Sequence, residues 1–299
     1  MDIIKNRYIF IIFSGILVVL SLLLIGFLGL RQGIDLKGGT QWQVSFTDAL
    51  IGEQSIIRVL RDTNSNLDIF VTRAGDNSFI IRLPDIDAAT HELYSKALVS
   101  LGPFSESNFS SIGPAIGAEL RQKAIWAVVV TLLAISFYIT WAFRKVSQPI
   151  KSWKYGIVTL VTLFHDVIIP AGLLALFGRL KGIEIDTNFI VALLVVMGFS
   201  VHDTIVVFDR IRENLLINRG RSIDLAQIIN HSIRETFVRS INTSFTLILV
   251  LLTLIFAGPP SLFYFILTIL VGTTFGTYSS IFVASPILYM WGRTKRYTG

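Results

Sequence analysis

Long stretches without a charged side chain dominate this sequence, and their lengths predict its elements. Between Arg7 and Arg31 lie 23 uncharged residues, and between Lys123 and Arg144 there are 20. The 24 residues between Lys154 and Arg179 are interrupted only by Asp166, and the 22 between Asp186 and Asp209 only by Asp203. From Ser240 to Gly292 no acid or base occurs in 53 residues. A helix needs about 20 mostly apolar residues to cross a hydrocarbon core of roughly 30 Å. The last stretch therefore holds two spans, divided at the turn signal Gly258-Pro259-Pro260-Ser261. The pattern predicts six transmembrane helices. Lys5 and Arg7 resemble the start of a signal peptide, but the apolar run behind them exceeds an h-region of about 7–15 residues. With no small-x-small cleavage site after it, the first span reads as an uncleaved anchor.

Between the first two spans the pattern changes. Residues 31–123 cover 93 positions, too long for a structureless connection. Alternating or β-rich runs occupy Thr40–Phe46, Leu67–Arg73, Phe79–Leu83 and Phe104–Ser111, with helical patterns at Ile51–Arg61 and Ala88–Leu101. The order β-α-β-β-α-β, with Gly75-Asp76-Asn77 as a hairpin turn, predicts a small ferredoxin-like α+β domain. Residues 1–30 then hold the N-terminus and helix one, and residues 124–299 hold helices two to six and the C-terminus. In Ser222–Val238, Leu225, Ile228, Ile229, Ile233 and Phe237 recur near helical spacing. That segment is either an amphipathic helix at the membrane interface or a linker helix with an ordinary apolar face.

Composition agrees: 53% of residues are hydrophobic and 15% charged, with a mean hydropathy of +0.67. There is no cysteine, so disulfides, thiolate metal sites and cysteine nucleophiles are excluded. No phosphate-cradling glycine motif occurs, and the chain is expected to be neither an enzyme nor the holder of a cofactor. The net charge of +6 flanks the apolar runs instead of forming a nucleic-acid stripe. Lys5 and Arg7, then Arg144, Lys145, Lys151 and Lys154, and finally Arg293, Lys295 and Arg296 mark one side of the membrane. The connection after span four adds six Arg against four acids on the same side. The positive-inside rule makes that side cytoplasmic, with both termini there and the α+β domain on the far side.

Two acids stand where charge is expensive. A central intramembrane Asp costs about 2.5–3.5 kcal/mol on insertion scales and marks an ion pathway by default. At 1.5 Å per residue, Asp203 lies about 9 Å from the boundary set by Asp209. Asp166 lies about 18 Å from the boundary set by Lys154. His165 and His202 precede them, and side chains of adjacent helical residues diverge by about 100°, so neither His-Asp dipeptide is expected to be a contact pair. Each histidine is either a proton carrier or a packed neutral imidazole. Arg239 opens span five on the side of Asp203. A carboxylate that is neutral facing one side and paired with Arg239 facing the other can couple ion entry to a change of shape. Against this stands a packing reading, in which buried acids merely hydrogen-bond neighbouring helices. Asp186 is a candidate N-cap, Asp209, Arg210, Arg212 and Glu213 form local ion pairs, Pro170 suggests a kink, and Gly272-x-x-x-Gly276 signals close helix packing.

These residues carry a resemblance. Gly33-Ile34-Asp35-Leu36-Lys37-Gly38-Gly39-Thr40 follows span one, and Ile112-Gly113-Pro114-Ala115-Ile116-Gly117-Ala118-Glu119-Leu120 precedes span two. Phe164-His165-Asp166-Val167 lies in span three, Asp203 through Asn214 in span four, Arg239-Ser240-Ile241-Asn242-Thr243-Ser244 in span five, and Gly276 through Pro286 in span six. In this order they resemble the SecF subunits of the SecDF protein-export complex, within the resistance-nodulation-division superfamily. The resemblance implies a subunit of the bacterial or archaeal cytoplasmic membrane that works with SecD and the SecYEG channel on a translocating preprotein. It implies that Asp203 and Arg239 take the positions of the ion-coupling acid and its basic partner, with H⁺ or Na⁺ as coupling ion. Where the family usually has Asn before the span-four Asp, this chain has His202, and Leu36-Lys37 is closer to SecD. An efflux subunit of the same superfamily and a passive membrane scaffold are the alternatives.

Overall fold

The computed structural model describes residues 2–47, 51–64, 69–75, 77–144, 150–218 and 224–292. Lys145, Arg219, Arg221, Arg293, Lys295 and Arg296 of the cationic flanks lie outside the described residues, as do Asp76 of the hairpin turn, Leu67 and Asp68 of the second strand, and Ser222 and Ile223. In chain order the helices are α1 (Arg7–Leu28), α2 (Ile34–Lys37), α3 (Glu53–Thr63), α4 (Ala88–Val99), α5 (Pro114–Ala142), α6 (Ser152–Lys181), α7 (Thr187–Ile217), α8 (Leu225–Ala257), α9 (Phe263–Ser279) and α10 (Ser285–Gly292). The strands are β1 (Gly39–Phe46), β2 (Phe70–Arg73), β3 (Ser78–Leu83) and β4 (Phe104–Ile112). Six helical stretches are long and apolar enough to span a membrane, α9 and α10 joining as one. The chain divides into two compact units, Gln32–Ile125 and Met1–Arg31 with Trp126–Gly299.

In the first unit an antiparallel sheet of order β2-β3-β1-β4 carries α3 and α4. Alternation in β1 and β3 turns Trp42, Val44, Phe79 and Ile81 into a core closed by Ile56, Leu60, Tyr94 and Leu98 of the helices. A bulge between Gln43 and Val44 shifts the β1–β4 register. Asp87 caps α4 by accepting from the Thr90 N–H at 2.9 Å. The glycine pair before β1 has a specific cause. Gly38 and Gly39 adopt φ of +82° and +130°, conformations that side chains disfavour. A Cβ on Gly117 of α5 would lie 2.4 Å from the Gly38 nitrogen, so these two stretches close on each other through bare backbone.

In the second unit α6 and the α9–α10 stretch are the most protein-covered spans, whereas α1 and α5 are mostly uncovered. Small residues set the close approaches. A Cβ on Gly172 of α6 would meet Ser21 of α1 at 2.5 Å, and one on Gly272 of α9 would meet Val196 of α7 at 2.3 Å. Asp186 caps α7 by accepting from the Phe189 N–H at 3.0 Å. The described part of the 222–238 segment is no separate interfacial helix. From Leu225 it is continuous with span five, and Ile228, Ile229 and Ile233 pack with Ile3, Ile4 and Ile211 in one core. The ordinary apolar face wins because protein, not lipid, covers it. α6 continues as helix through Pro170. Between α9 and α10, Ser280–Ala284 forms a π-helical turn. Pro286 offers no N–H to the carbonyl one turn back, and widening the turn is one way a helix absorbs that loss.

Candidate ion-coupling site

α6, α7, α8 and α9 enclose both intramembrane acids. Asp166 is 0% exposed. Its Oδ2 accepts from Ser200 Oγ of α7 and from Ser279 Oγ of α9, the latter at 2.9 Å. Its Oδ1 stands 2.7 Å from His165 Nδ1. The neighbours in sequence are therefore a contact pair, contrary to the expectation from helical divergence. The Cβ directions do diverge, but Nδ1 and Oδ1 each sit one bond beyond Cγ, and rotation about χ1 and χ2 brings them together. His165 itself is buried, with Nε2 unpartnered among the described residues.

Asp203 is 1% exposed. Its Oδ2 accepts from Ser244 Oγ of α8 and Thr277 Oγ1 of α9, each at 3.2 Å, and these two hydroxyls also touch one another. His202 behaves differently from His165: its side chain is 57% exposed and its Nδ1 stays 3.9 Å from Asp203 Oδ1. Arg239 is exposed on the turn of α8 before Ser244, and no ion pair within 4.0 Å joins it to a carboxylate among the described residues. The site in this structure is thus a carboxylate held by two neutral hydroxyls, with its cationic neighbour standing off.

The two acids lie nearer in depth than their distances to the flanking charges suggest. Ser200, which meets Asp166, and Asp203 itself are three residues apart on α7, about 4.5 Å of rise. Counted from the Asp166–Ser200 contact, Lys154 is twelve residues away on α6 and Asp209 nine on α7, about 18 Å and about 13.5 Å of rise, so the two charges are at different levels, and α7 runs on as helix to Ile217. Beyond Asp209 that extension carries ion pairs. Arg210 meets Glu213 at 2.6 Å, as its spacing suggests, and also grips Glu235 of α8 through Nε and Nη2, each at 2.7 Å.

Sequence reasoning missed Ser200, Ser244, Thr277 and Ser279. A signal existed: Ser200/Thr204, Ser240/Ser244 and Thr273/Thr277 repeat at four-residue spacing inside apolar spans, giving each helix one hydroxyl-bearing face. Thr204 Oγ1 and Ser280 Oγ continue the seam at 2.8 Å. The glycine motif places these faces in register, since a Cβ on Gly276 would fall 2.9 Å from Ser200 Cβ.

The sequence model described as protein export membrane protein SecD/SecF, C-terminal, matches residues 94–294, and that of the SecD/SecF GG motif matches residues 23–49. The chain belongs to the SecD/SecF family. Among curated relatives, the protein translocase subunit SecF of Thermobaculum terrenum is 41% identical, covering 97% of this chain and 93% of its own length. That of Haemophilus influenzae is 36% identical over 98% and 86%. A crystal structure of SecDF from Thermus, described as a translocon-associated membrane protein, superposes with a TM-score of 0.83 at 31% identity. The match covers 97% of this chain but only 38% of the SecDF chain. A second SecDF structure, in a super-membrane-facing form, gives a TM-score of 0.69 at 30% identity. As a SecD/SecF family member the chain is a multi-pass membrane protein of the protein-transport class. The GG motif of the family falls on the Gly38-Gly39 turn and includes β1 through Phe46.

Proposed function

We propose that this chain is the SecF-type partner of a SecD protein in the cytoplasmic membrane, where it helps the SecYEG channel move preprotein across. Both termini face the cytoplasm and the α+β unit meets the emerging polypeptide outside. Asp203 takes up and releases the coupling ion, H⁺ in the first instance, with Na⁺ as the ion to be tested against it. Arg239 and the His165-Asp166 pair complete the ion pathway, and His202 sits beside its acid. The observation that carries this reading is a carboxylate 1% exposed, between transmembrane helices, whose hydrogen bonds among the described residues come from the hydroxyls of Ser244 and Thr277. Held so, the acid changes charge by exchanging an ion. The unpaired Arg239 guanidinium, midway along the same helix as Ser244 and five residues before it, supplies the counter-charge when the helices shift. One charge crossing 100 mV is worth about 2.3 kcal/mol, enough to bias a conformational equilibrium of that size.

The test is preprotein export into inverted membrane vesicles carrying the SecD–SecF pair, with an imposed H⁺ or Na⁺ gradient. Asp203→Asn is expected to abolish the gradient-dependent part of export while leaving the protein in the membrane with SecD. Full gradient dependence in that variant refutes Asp203 as the coupling acid and favours the passive scaffold.

A further inference from the structure

Two more hydroxyls belong to the Asp203 seam. Ser240 Oγ of α8 and Thr273 Oγ1 of α9 are buried and have no hydrogen-bond partner among the described residues. Their residues are 1% and 0% exposed. Buried hydroxyls left unpaired inside a membrane are costly, so their placement calls for a reason. Each lies four residues before a hydroxyl that contacts Asp203: Ser240 before Ser244, and Thr273 before Thr277. α8 and α9 are consecutive spans joined by a short turn, so one turn back on each leads in opposite directions. The four hydroxyls therefore form a file with the carboxylate at its middle. Four residues rise about 6 Å, and one water bonded at about 2.8 Å to two oxygens spans about 5.6 Å.

The inner hydroxyls have three acceptors each, counting one another. Ser244 Oγ reaches Asp203 Oδ2 at 3.2 Å and the Ser240 carbonyl at 2.9 Å. Thr277 Oγ1 reaches the same Oδ2 at 3.2 Å and the Thr273 carbonyl at 3.1 Å. A hydroxyl carries one proton, so each must choose, and turning between carboxylate and carbonyl is a rotation about a single bond. The cluster can thus present donors to a charged acid and take them back from a neutral one. Two other titratable groups stand near the file, His202 with Nδ1 3.9 Å from the acid, and Arg239, the residue preceding Ser240.

We propose that Ser240 and Thr273 are the two ends of a proton relay through Asp203, Ser240 toward the Arg239 end and Thr273 toward the opposite membrane face, each passing protons to the inner hydroxyls through a single water. This rests on the reading of Asp203 as the ion-coupling acid. It adds the residues that carry the proton in and out, and it selects H⁺ over Na⁺, because a rotating hydroxyl hands on a proton and not a metal cation.

The relay is tested with the full chain and its SecD partner in liposomes, reading proton uptake with an enclosed pH-sensitive dye under an imposed potassium diffusion potential. Ser240→Ala and Thr273→Val are each expected to slow uptake roughly tenfold, the rate penalty of one missing hydrogen-bonded step. The solvent deuterium isotope effect on uptake is expected to change in both. Thr273→Ser, which keeps the hydroxyl, is expected to restore rate and isotope effect, which loss of packing alone would not allow. Unchanged rates in Ser240→Ala and Thr273→Val alongside a silent Asp203→Asn overturn the relay and leave Asp203 in place. Uptake that persists in Asp203→Asn overturns both readings, and uptake that follows a Na⁺ gradient instead overturns the proton relay.

Discussion

Replacing Gly272 by alanine tests whether the hydroxyl seam depends on how closely α9 approaches α7. The added methyl would lie 2.3 Å from Val196 Cγ2, 2.6 Å from Cγ1 and 3.0 Å from Cβ. Unstrained carbon contacts begin near about 3.5 Å. Val196 is 0% exposed and β-branched, so its side chain is locked in one helical rotamer and cannot swing aside. The helices must therefore part by about 1 Å locally, at an overpacking cost of about 1–3 kcal/mol. The same displacement, carried down α9, lengthens the Ser279–Asp166 bond of 2.9 Å and the Thr277–Asp203 bond of 3.2 Å past hydrogen-bonding range. Thermal unfolding of the detergent-solubilised chain, followed by the fluorescence of its five tryptophans, measures the loss. The expected drop is roughly 2–4 °C per kcal/mol. Combining Gly272→Ala with Val196→Ala removes the collision, so the double variant is expected to melt above Gly272→Ala alone. Two independent losses that simply add, or a Gly272→Ala protein melting like the parent, would refute close packing as the element that aligns the seam.

Two further outcomes follow from the α+β unit. Hydrogen bonds from the side chain and backbone of Thr90 hold the Asp87 carboxyl below the usual carboxylate range. A carboxyl depressed by folding stabilises the fold above its unfolded pKa of about 3.9 and loses that contribution as pH falls through the folded value. Protection of the Thr90 amide, its exchange in the full chain measured against the intrinsic rate at the same pH, is therefore expected to fall as pH drops below about 4, and Asp87→Asn, which caps without titrating, is expected to flatten that fall. Gly117→Ala drives a methyl to 2.4 Å from the Gly38 nitrogen and 2.9 Å from the Lys37 carbonyl carbon. Neither backbone atom can rotate away, so amide protection across Gly39–Phe46 is expected to fall, whereas Gly52→Ala, with nothing within 4 Å of the new methyl, leaves it unchanged.

The legible and illegible parts of this protein divide along physical lines. The six spans and the β-α-β-β-α-β order are readable because lipid and a two-faced sheet impose periods and lengths on the sequence itself. Asp166 and Asp203 are readable because charge inside an apolar run is rare. Their hydroxyl partners are not, since serine and threonine occur throughout apolar helices and become significant only when a neighbour's face is known. The His165–Asp166 contact escaped a helical-wheel argument because side-chain rotation, not Cβ direction, made it. The face of Leu225–Phe237 suited either lipid or protein, and only Ile3, Ile4 and Ile211 packed against it decided between them.

Sequence alone thus determined where the chain meets lipid, where a soluble fold interrupts it and which acids lie within the spans, because hydrophobic burial acts on each segment nearly independently of the others. The tertiary structure decided which oxygens surround each acid, that Arg239 stands apart from Asp203, and that α9 brings Thr277 to one acid and Ser279 to the other. Those are relations between helices more than thirty residues apart, set by the glycine-to-valine and glycine-to-serine contacts that fix how closely and in what register the helices pack.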